Sequence, residues 1–397
     1  MMAAFDPAAL LVQYRPIVQY DSLESYYTDW AAVISDRPSN VLKRADGTVL
    51  AAAGPPSGGV PQLNLNFLHP QTYPTGQPVA ATDYIAEVGS DYVTQAREMH
   101  AMAGYANKAH GRVVEQAGAT WLQYWFFMYY DDPSFLGLGT HEGDIEMIQL
   151  RLDPSGQPEA VSYAQHRSGV SASWDQVEQR NSSPVVYSAR GTHASMLRAG
   201  DLVSDRSFLP DHNDAQGPRV QLDLIPLSEA QTPWAFWPGR WGATRPEDQI
   251  LGQVGVEANS PTAPNQHGAW TDPAGFHASC EAADLPPIGE AHRTDLPQPP
   301  QPLLQVQRDA TRGVVNVKYE IPTGPAGATP TSLVIAVDSS NGRLPPATTV
   351  VRLAGAAGEL EAPVSPDAKS VRISATVQTD TGAVSPTTAA SASPTRP

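Results

Sequence analysis

Cysteine is almost missing from this chain: 397 residues hold one, Cys280. No intrachain disulfide can form, which excludes a small crosslinked scaffold as the source of stability. Long apolar runs are missing too. No stretch approaches the roughly 18 apolar residues of a membrane-spanning helix, and the run from Trp121 to Tyr130 is too short. The start, MMAAFDPAALLVQY, lacks a basic n-region and a long apolar h-region, so no secretory signal is expected. Positive charge is scarce, with 25 Lys and Arg against 41 Asp and Glu and a formal net charge of −16. That balance opposes binding to nucleic acid or to a bare anionic bilayer. Together these absences predict a soluble chain made in the cytoplasm, which would need a non-classical route to act outside the cell.

What is present is a core. Hydrophobic residues make up 41% of the chain, which excludes global disorder, and the length suits one large domain plus a small one. Residues 284 to 302 carry six prolines among nineteen positions and read as a stiff linker. Before it, residues 1–283 show several strand patterns separated by Gly, Pro, Asn and Ser turns, the mark of a β-sandwich. After it, Val314 to Ile321, Leu333 to Val337, Thr349 to Leu353 and Val371 to Val377 alternate apolar and polar residues. That predicts a small immunoglobulin or fibronectin III-like sandwich over 303–384 and a disordered tail over 385–397. The expected fold is therefore mainly β, with long loops and one or two helices in the larger domain.

Within that domain, Pro16 ahead of Ile17–Tyr20 predicts an edge strand. The spacing from Tyr84 to Met102 predicts an amphipathic helix capped by Asp83 and ended by Gly104. Trp234, Trp237 and Trp241, set among prolines, read as a cover over the sandwich end. His100 and His110 read as structural or exposed. Residues 204–217 form a second acidic loop around Asp211, His212 and Asp214, without the alternation of an EF-hand.

The chain is organised around Thr120 to Glu146. Trp121 to Tyr130 predicts a strand buried on both faces. It ends at Asp131, Asp132 and Pro133, passes Gly137 and Gly139, and reaches His141-Glu142-Gly143-Asp144-Ile145-Glu146. In a strand, residues two apart share a face, so Asp144 and Glu146 point together while Ile145 and Met147 point into a core. His141 lies just before, and Asp132, or alternatively Asp131, can add a further carboxylate. Oxygen donors with one imidazole suit Mg²⁺, Ca²⁺ or Mn²⁺; with no cysteine nearby, zinc is less favoured. The plain alternative is a solvated acidic turn with a capping histidine. His166 and His193 each follow a strand and could orient water or act as general base. Arg190 could pair with a phosphate, and Glu142 is the other candidate for contacting a ligand.

The spacing His141-x-x-Asp144-x-Glu146 resembles the metal-binding region of the necrosis- and ethylene-inducing-like cytolysins. A fuller resemblance, over roughly residues 8–280, is to the vacuolar-protein-sorting-sixty-two-like family. It rests on Leu122–Phe127, on His141-Glu142-Gly143-Asp144-x-Glu146, and on Tyr187-Ser188-Ala189-x-Gly191-Thr192-His193-Ala194. Pro238-Gly239-Arg240-Trp241-Gly242 and Ser260-Pro261-x-x-Pro264 extend it. Ile145 departs from it, standing where that family usually has tryptophan, on the side away from the proposed ion. The resemblance implies a divalent cation on a β-sandwich and, from the cytolysins, recognition of a membrane lipid or glycan head group. Two other functions stay open. One is a metal-dependent hydrolase, a phosphodiesterase or phospholipase, using His193 or His166. The other is a structural protein tethered to a larger assembly through the C-terminal domain.

Overall fold

The computed structural model describes residues 6–37, 39–54, 58–87, 91–102, 104–132, 140–166, 168–202, 211–243, 260–288, 300–309, 312–323, 330–338, 347–353, 355–364, 371–379 and 388–392. The glycine loop with Gly137 and Gly139, residues 204–210 and most of the proline-rich linker lie outside them. The chain divides into two compact units, residues 1–99 with 107–292, and residues 293–397 with the short segment 100–106. The architecture is mainly β, as expected. Among the described residues no helix is long and apolar enough to cross a membrane.

In the first unit the strands run β1 (Ile17–Gln19), β2 (Val41–Lys43), β3 (Val49–Ala52), β4 (Tyr84–Ala86), β5 (Lys108–Gln116), β6 (Ala119–Asp131) and β7 (His141–Leu152). They continue as β8 (Pro158–Gln165), β9 (Ser168–Ser173), β10 (Gln179–Arg180), β11 (Ser183–Ser188), β12 (Ser195–Met196), β13 (Gly200–Leu202), β14 (Asp211–Asn213), β15 (Arg219–Gln221), β16 (Asp223–Pro226) and β17 (Glu281–Ala282). β5 to β9 form an antiparallel meander, closed at its two ends by β16 parallel to β5 and β17 parallel to β9. The β5–β6 hairpin turns on Ala117 and Gly118, both at positive φ, the backbone that a two-residue turn between twisted strands requires.

β6 is buried along all 13 residues, because both of its faces are covered. Leu122, Tyr124, Phe126 and Met128, with Ile148 and Leu150 of β7, pack against Val18 of β1 and Val186 of β11. That contact joins the meander to a smaller sheet in which β1 lies between β11 and β15. On the opposite face, Phe127 meets Trp234 and Trp241 edge-on at 5.7 and 5.2 Å, and Trp125 meets Trp270 at 5.8 Å. The tryptophans at 234, 237 and 241 are buried and form the expected cover. Gln123 and Gln149 bond to each other and to the carbonyls of Ala269 and Pro273. Those bonds satisfy buried amides and fasten the helices Gly268–Thr271 and Pro273–Ser279 to the sheet.

Three expectations need correction. β1 is not an edge strand: it pairs on both sides, parallel to β11 and antiparallel to β15. Pro16 precedes the strand and contributes only its carbonyl, to the Leu222 N–H, so no ladder bond is lost. The helix expected from Asp83 begins later, spanning Tyr92–Ala101. Tyr84–Ala86 pairs with β2 instead, and Asp83 is taken up by Arg44, Tyr73 and the Ala80 N–H. Asp91 provides the helix start, accepting from the Thr94 N–H. The tail expected to be disordered contains a strand at Thr388–Ala392, which pairs with Val371–Ala375.

That strand, β24, completes the second unit after β18 (Leu303–Asp309), β19 (Val314–Glu320), β20 (Pro330–Asp338), β21 (Ala347–Arg352), β22 (Ala357–Pro363) and β23 (Val371–Thr379). A three-stranded sheet, β18-β19-β22, and a four-stranded sheet, β21-β20-β23-β24, make up the unit. Val315, Val317, Leu333, Ile335, Ile373 and Val377 share its core, as the alternation of the sequence predicts.

Candidate metal centre

The register of β6 on β7 sets Asp131 opposite His141 and Met128 opposite Asp144. Asp144 and Glu146 lie on the face that continues into Ile148 and Leu150, so they extend the inter-sheet core with carboxylates at its end. Gly143 lies between the two motif halves at φ +65°, and a Cβ there would come within 2.4 Å of the Trp241 carbonyl oxygen. Only glycine allows the aromatic cover to pass so close.

The third contributor comes from another sheet. After β11 the chain turns tightly, with the Ala189 N–H donating to Ala194 and the His193 N–H to Ala189. His193 adopts φ 53°, and its Nδ1 lies 2.8 Å from Oδ2 of Asp144. Its Nε2 lies 3.6 Å from Oε1 of Glu24. Glu24 is itself fixed by the N–H groups of Gly191, Tyr26 and Ser25. Asp131, Asp144 and His193, all buried, each offer one ligand atom within 4.8 Å of the others. Two carboxylate oxygens and one imidazole nitrogen at this separation fit a hard or borderline divalent cation.

Electrostatics hold the row Glu24–His193–Asp144 together. Burial alone would lower the His193 pKa; the charges of Glu24 and Asp144 outweigh it and raise the value to about 10. Glu24 is held below the ordinary carboxylate value, burial being outweighed chiefly by the charge on His193. Ligation needs the neutral imidazole, so a cation at the triad must displace the proton that Glu24 and Asp144 hold on His193, and uptake should weaken as pH falls. His141 is set differently. The Gly143 carbonyl accepts from its Nδ1 at 2.7 Å, which points Nε2 toward Asp131 at 3.5 Å.

The remaining expected residues fall as follows. Glu146 is buried two residues beyond Asp144 on the same face. Asp131, the alternate candidate, belongs to the triad, whereas Asp132 stands past the last ladder pair and gives its backbone N–H to Gly191. Glu142 points away from the triad. Its carboxylate accepts from the Ala243 and Glu87 N–H groups and from the Tyr92 hydroxyl, so it holds loops together rather than a ligand. His166 bonds to Asp211 at 3.1 Å, and Asp211 also takes the Thr192 hydroxyl. That bond steadies the turn carrying His193 and sets His166 outside the triad. For Arg190, the backbone N–H donates to His212, and no salt bridge forms among the described residues. Sequence reasoning missed Glu24, which is far from the motif and marked only by an acidic turn at Asp21-Ser22-Leu23-Glu24.

No protein-family model matches this chain, and no curated protein does. Solved structures do. Necrosis and Ethylene inducing Protein 2 from the causal agent of cocoa's Witches Broom disease aligns at TM-score 0.30 and 12% identity, over 64% of this chain and 93% of its own. The non-toxic HaNLP3 protein aligns at 0.30 and 15%, over 65% and 93%. NLPPya in complex with glucosamine aligns at 0.29 and 12%, over 64% and 91%. At TM-scores of 0.29 to 0.30 the likeness carries no argument about fold or activity, and the resemblance to the vacuolar-protein-sorting-sixty-two-like family gains nothing from it.

Proposed function

We propose that this protein binds a divalent cation through Asp131, Asp144 and His193, and uses it to recognise an anionic or sugar head group of a lipid or glycan. The observation that carries the reading is the convergence of three buried donors from β6, β7 and the turn after β11. His141 and Glu146 flank them, and Glu24 orients His193 as carboxylates commonly orient metal-binding imidazoles. Arg190, three residues before His193, would supply the charge for a phosphate. A hydrolase finds less support, since both nitrogens of His193 face carboxylates and His166 is engaged by Asp211.

The test is metal analysis of purified protein with and without chelator, followed by calorimetric titration with Mg²⁺, Ca²⁺, Mn²⁺ and Zn²⁺. Lipid vesicles and a glycan array are then offered to the metal-loaded protein and to Asp144→Ala/Glu146→Ala. Loss of both metal and head-group binding in the variant supports the proposal; head-group binding that survives in it defeats the proposal. Burial of all three donors favours a second reading, in which the ion pins β6, β7 and the turn after β11. Metal that raises the unfolding temperature without conferring any head-group binding would select that one.

A further inference from the structure

Arg112 projects from β5 on the face that meets the aromatic cover, and its guanidinium carbon lies 3.7 Å from the centroid of the Trp270 ring. The indole is itself wedged in place. Phe236 stands perpendicular to it at 5.3 Å and Trp125 tilts against it at 5.8 Å, while Gln123 ties down the neighbouring Ala269 carbonyl. Stacking therefore fixes the plane of the guanidinium. It occupies only the flat face, and the forked N–H edge remains available.

Most other described arginines of this unit are engaged, although Arg97 and Arg190, like Arg112, have no recorded side-chain acceptor; the indole beneath it sets Arg112 apart. Arg37, Arg44, Arg151, Arg180 and Arg219 each reach a carboxylate, and Arg198 and Arg240 reach backbone carbonyls. Among the described residues Arg112 has no such acceptor, its recorded contact being the indole. Burial alone shifts its pKa, downward to about 10, with no carboxylate contributing, so it stays charged at neutral pH. Arg112 is partly buried on the ring face while its N–H edge, with no recorded acceptor among the described residues, stays open to an anion.

We propose that Arg112, held flat on Trp270, is a binding site for an oxyanion that presents two oxygens in one plane, as a phosphate or carboxylate group does. Two parallel N–H···O bonds from the guanidinium would grip it. The site lies on the aromatic-cover face of the meander and does not depend on the cation reading.

The experiment follows arginine Nε–Hε resonances and calorimetric heat as inorganic phosphate, and separately glucuronate, is added to the full chain in the presence of chelator. Saturable binding of at least one is expected, centred on the resonance absent from Arg112→Lys. The Arg112→Lys variant keeps the charge but loses the fork, so its affinity should fall by about tenfold or more. Arg112→Ala should abolish binding, and Trp270→Phe should retain it. Vesicles of phosphatidylcholine with and without phosphatidic acid then separate a lipid phosphate from a free one. No saturable binding of either anion overturns the proposal, as does binding that persists in Arg112→Ala or is unweakened in Arg112→Lys. The lysine variant keeps the test decisive should Arg112→Ala fail to fold.

Discussion

His110 and His193 are sealed from solvent to the same degree, at 0% and 1% relative exposure, yet the structure asks opposite things of them. At His110 the Nε2 accepts the Ala31 N–H, Nδ1 faces the Trp125 carbonyl, and the rings of Phe127 and Trp234 stand edge-on. One donor site and one acceptor site suit a neutral imidazole, and burial lowers its pKa to about 3. His193 lies between two carboxylates, which raise its pKa to about 10 against burial. Equal burial thus gives a structural histidine in one place and a candidate ligand in the other. What faces the two nitrogens decides the resting charge, and at His193 a cation would have to displace the proton that the two carboxylates hold there.

The comparison breaks most readily at His193. Replacing it by leucine leaves Glu24 and Asp144 buried around an apolar group, and should cost about 3–5 kcal/mol of stability, read from urea unfolding. Full stability in that variant would mean the row is not held by charge. Adding divalent cation at about 100 times its dissociation constant should stabilise the wild type by about 2.7 kcal/mol, seen as a higher unfolding temperature, and should leave Asp144→Asn unmoved. His110→Leu should cost about 1–3 kcal/mol, because the Ala31 N–H loses its acceptor, with the cation effect intact. The most gradual effect is the acid response of His110, spread over several pH units. Below its unfolded value of 6.5 the unfolded chain takes a proton that the folded chain refuses until about pH 3. Stability should therefore fall with falling pH through that window by about 1.4 kcal/mol per unit. His110→Gln should remove that contribution; an unchanged pH profile would show His110 is not buried neutral.

Local pattern made much of this legible. Trp121 to Tyr130 carries no helical period and no charge, so burial on both faces followed from composition, and the two-residue repeat put Asp144 and Glu146 on one face. The tryptophans between Pro233 and Gly242 read correctly as a cover. Local pattern also misled. Tyr84–Ala86 fits a helical spacing, but pairing with Val41–Lys43 draws it into a sheet. Glu142 belongs to the same acidic motif as Asp144, yet it bonds to the loops at Glu87 and Ala243.

The sequence by itself determined a mainly β chain without disulfides and with two sandwich units, because alternation, turns and cysteine count act over a few residues. It also determined which carboxylates share a strand face. Only the tertiary structure decided that His193 rather than His166 meets Asp144, that Asp131 rather than Asp132 completes the triad, and that Glu24 stands behind the imidazole. Those choices depend on how two sheets are stacked and where a turn places one side chain. Contacts such as His193 with Asp144, 49 positions apart, leave no trace in local periodicity.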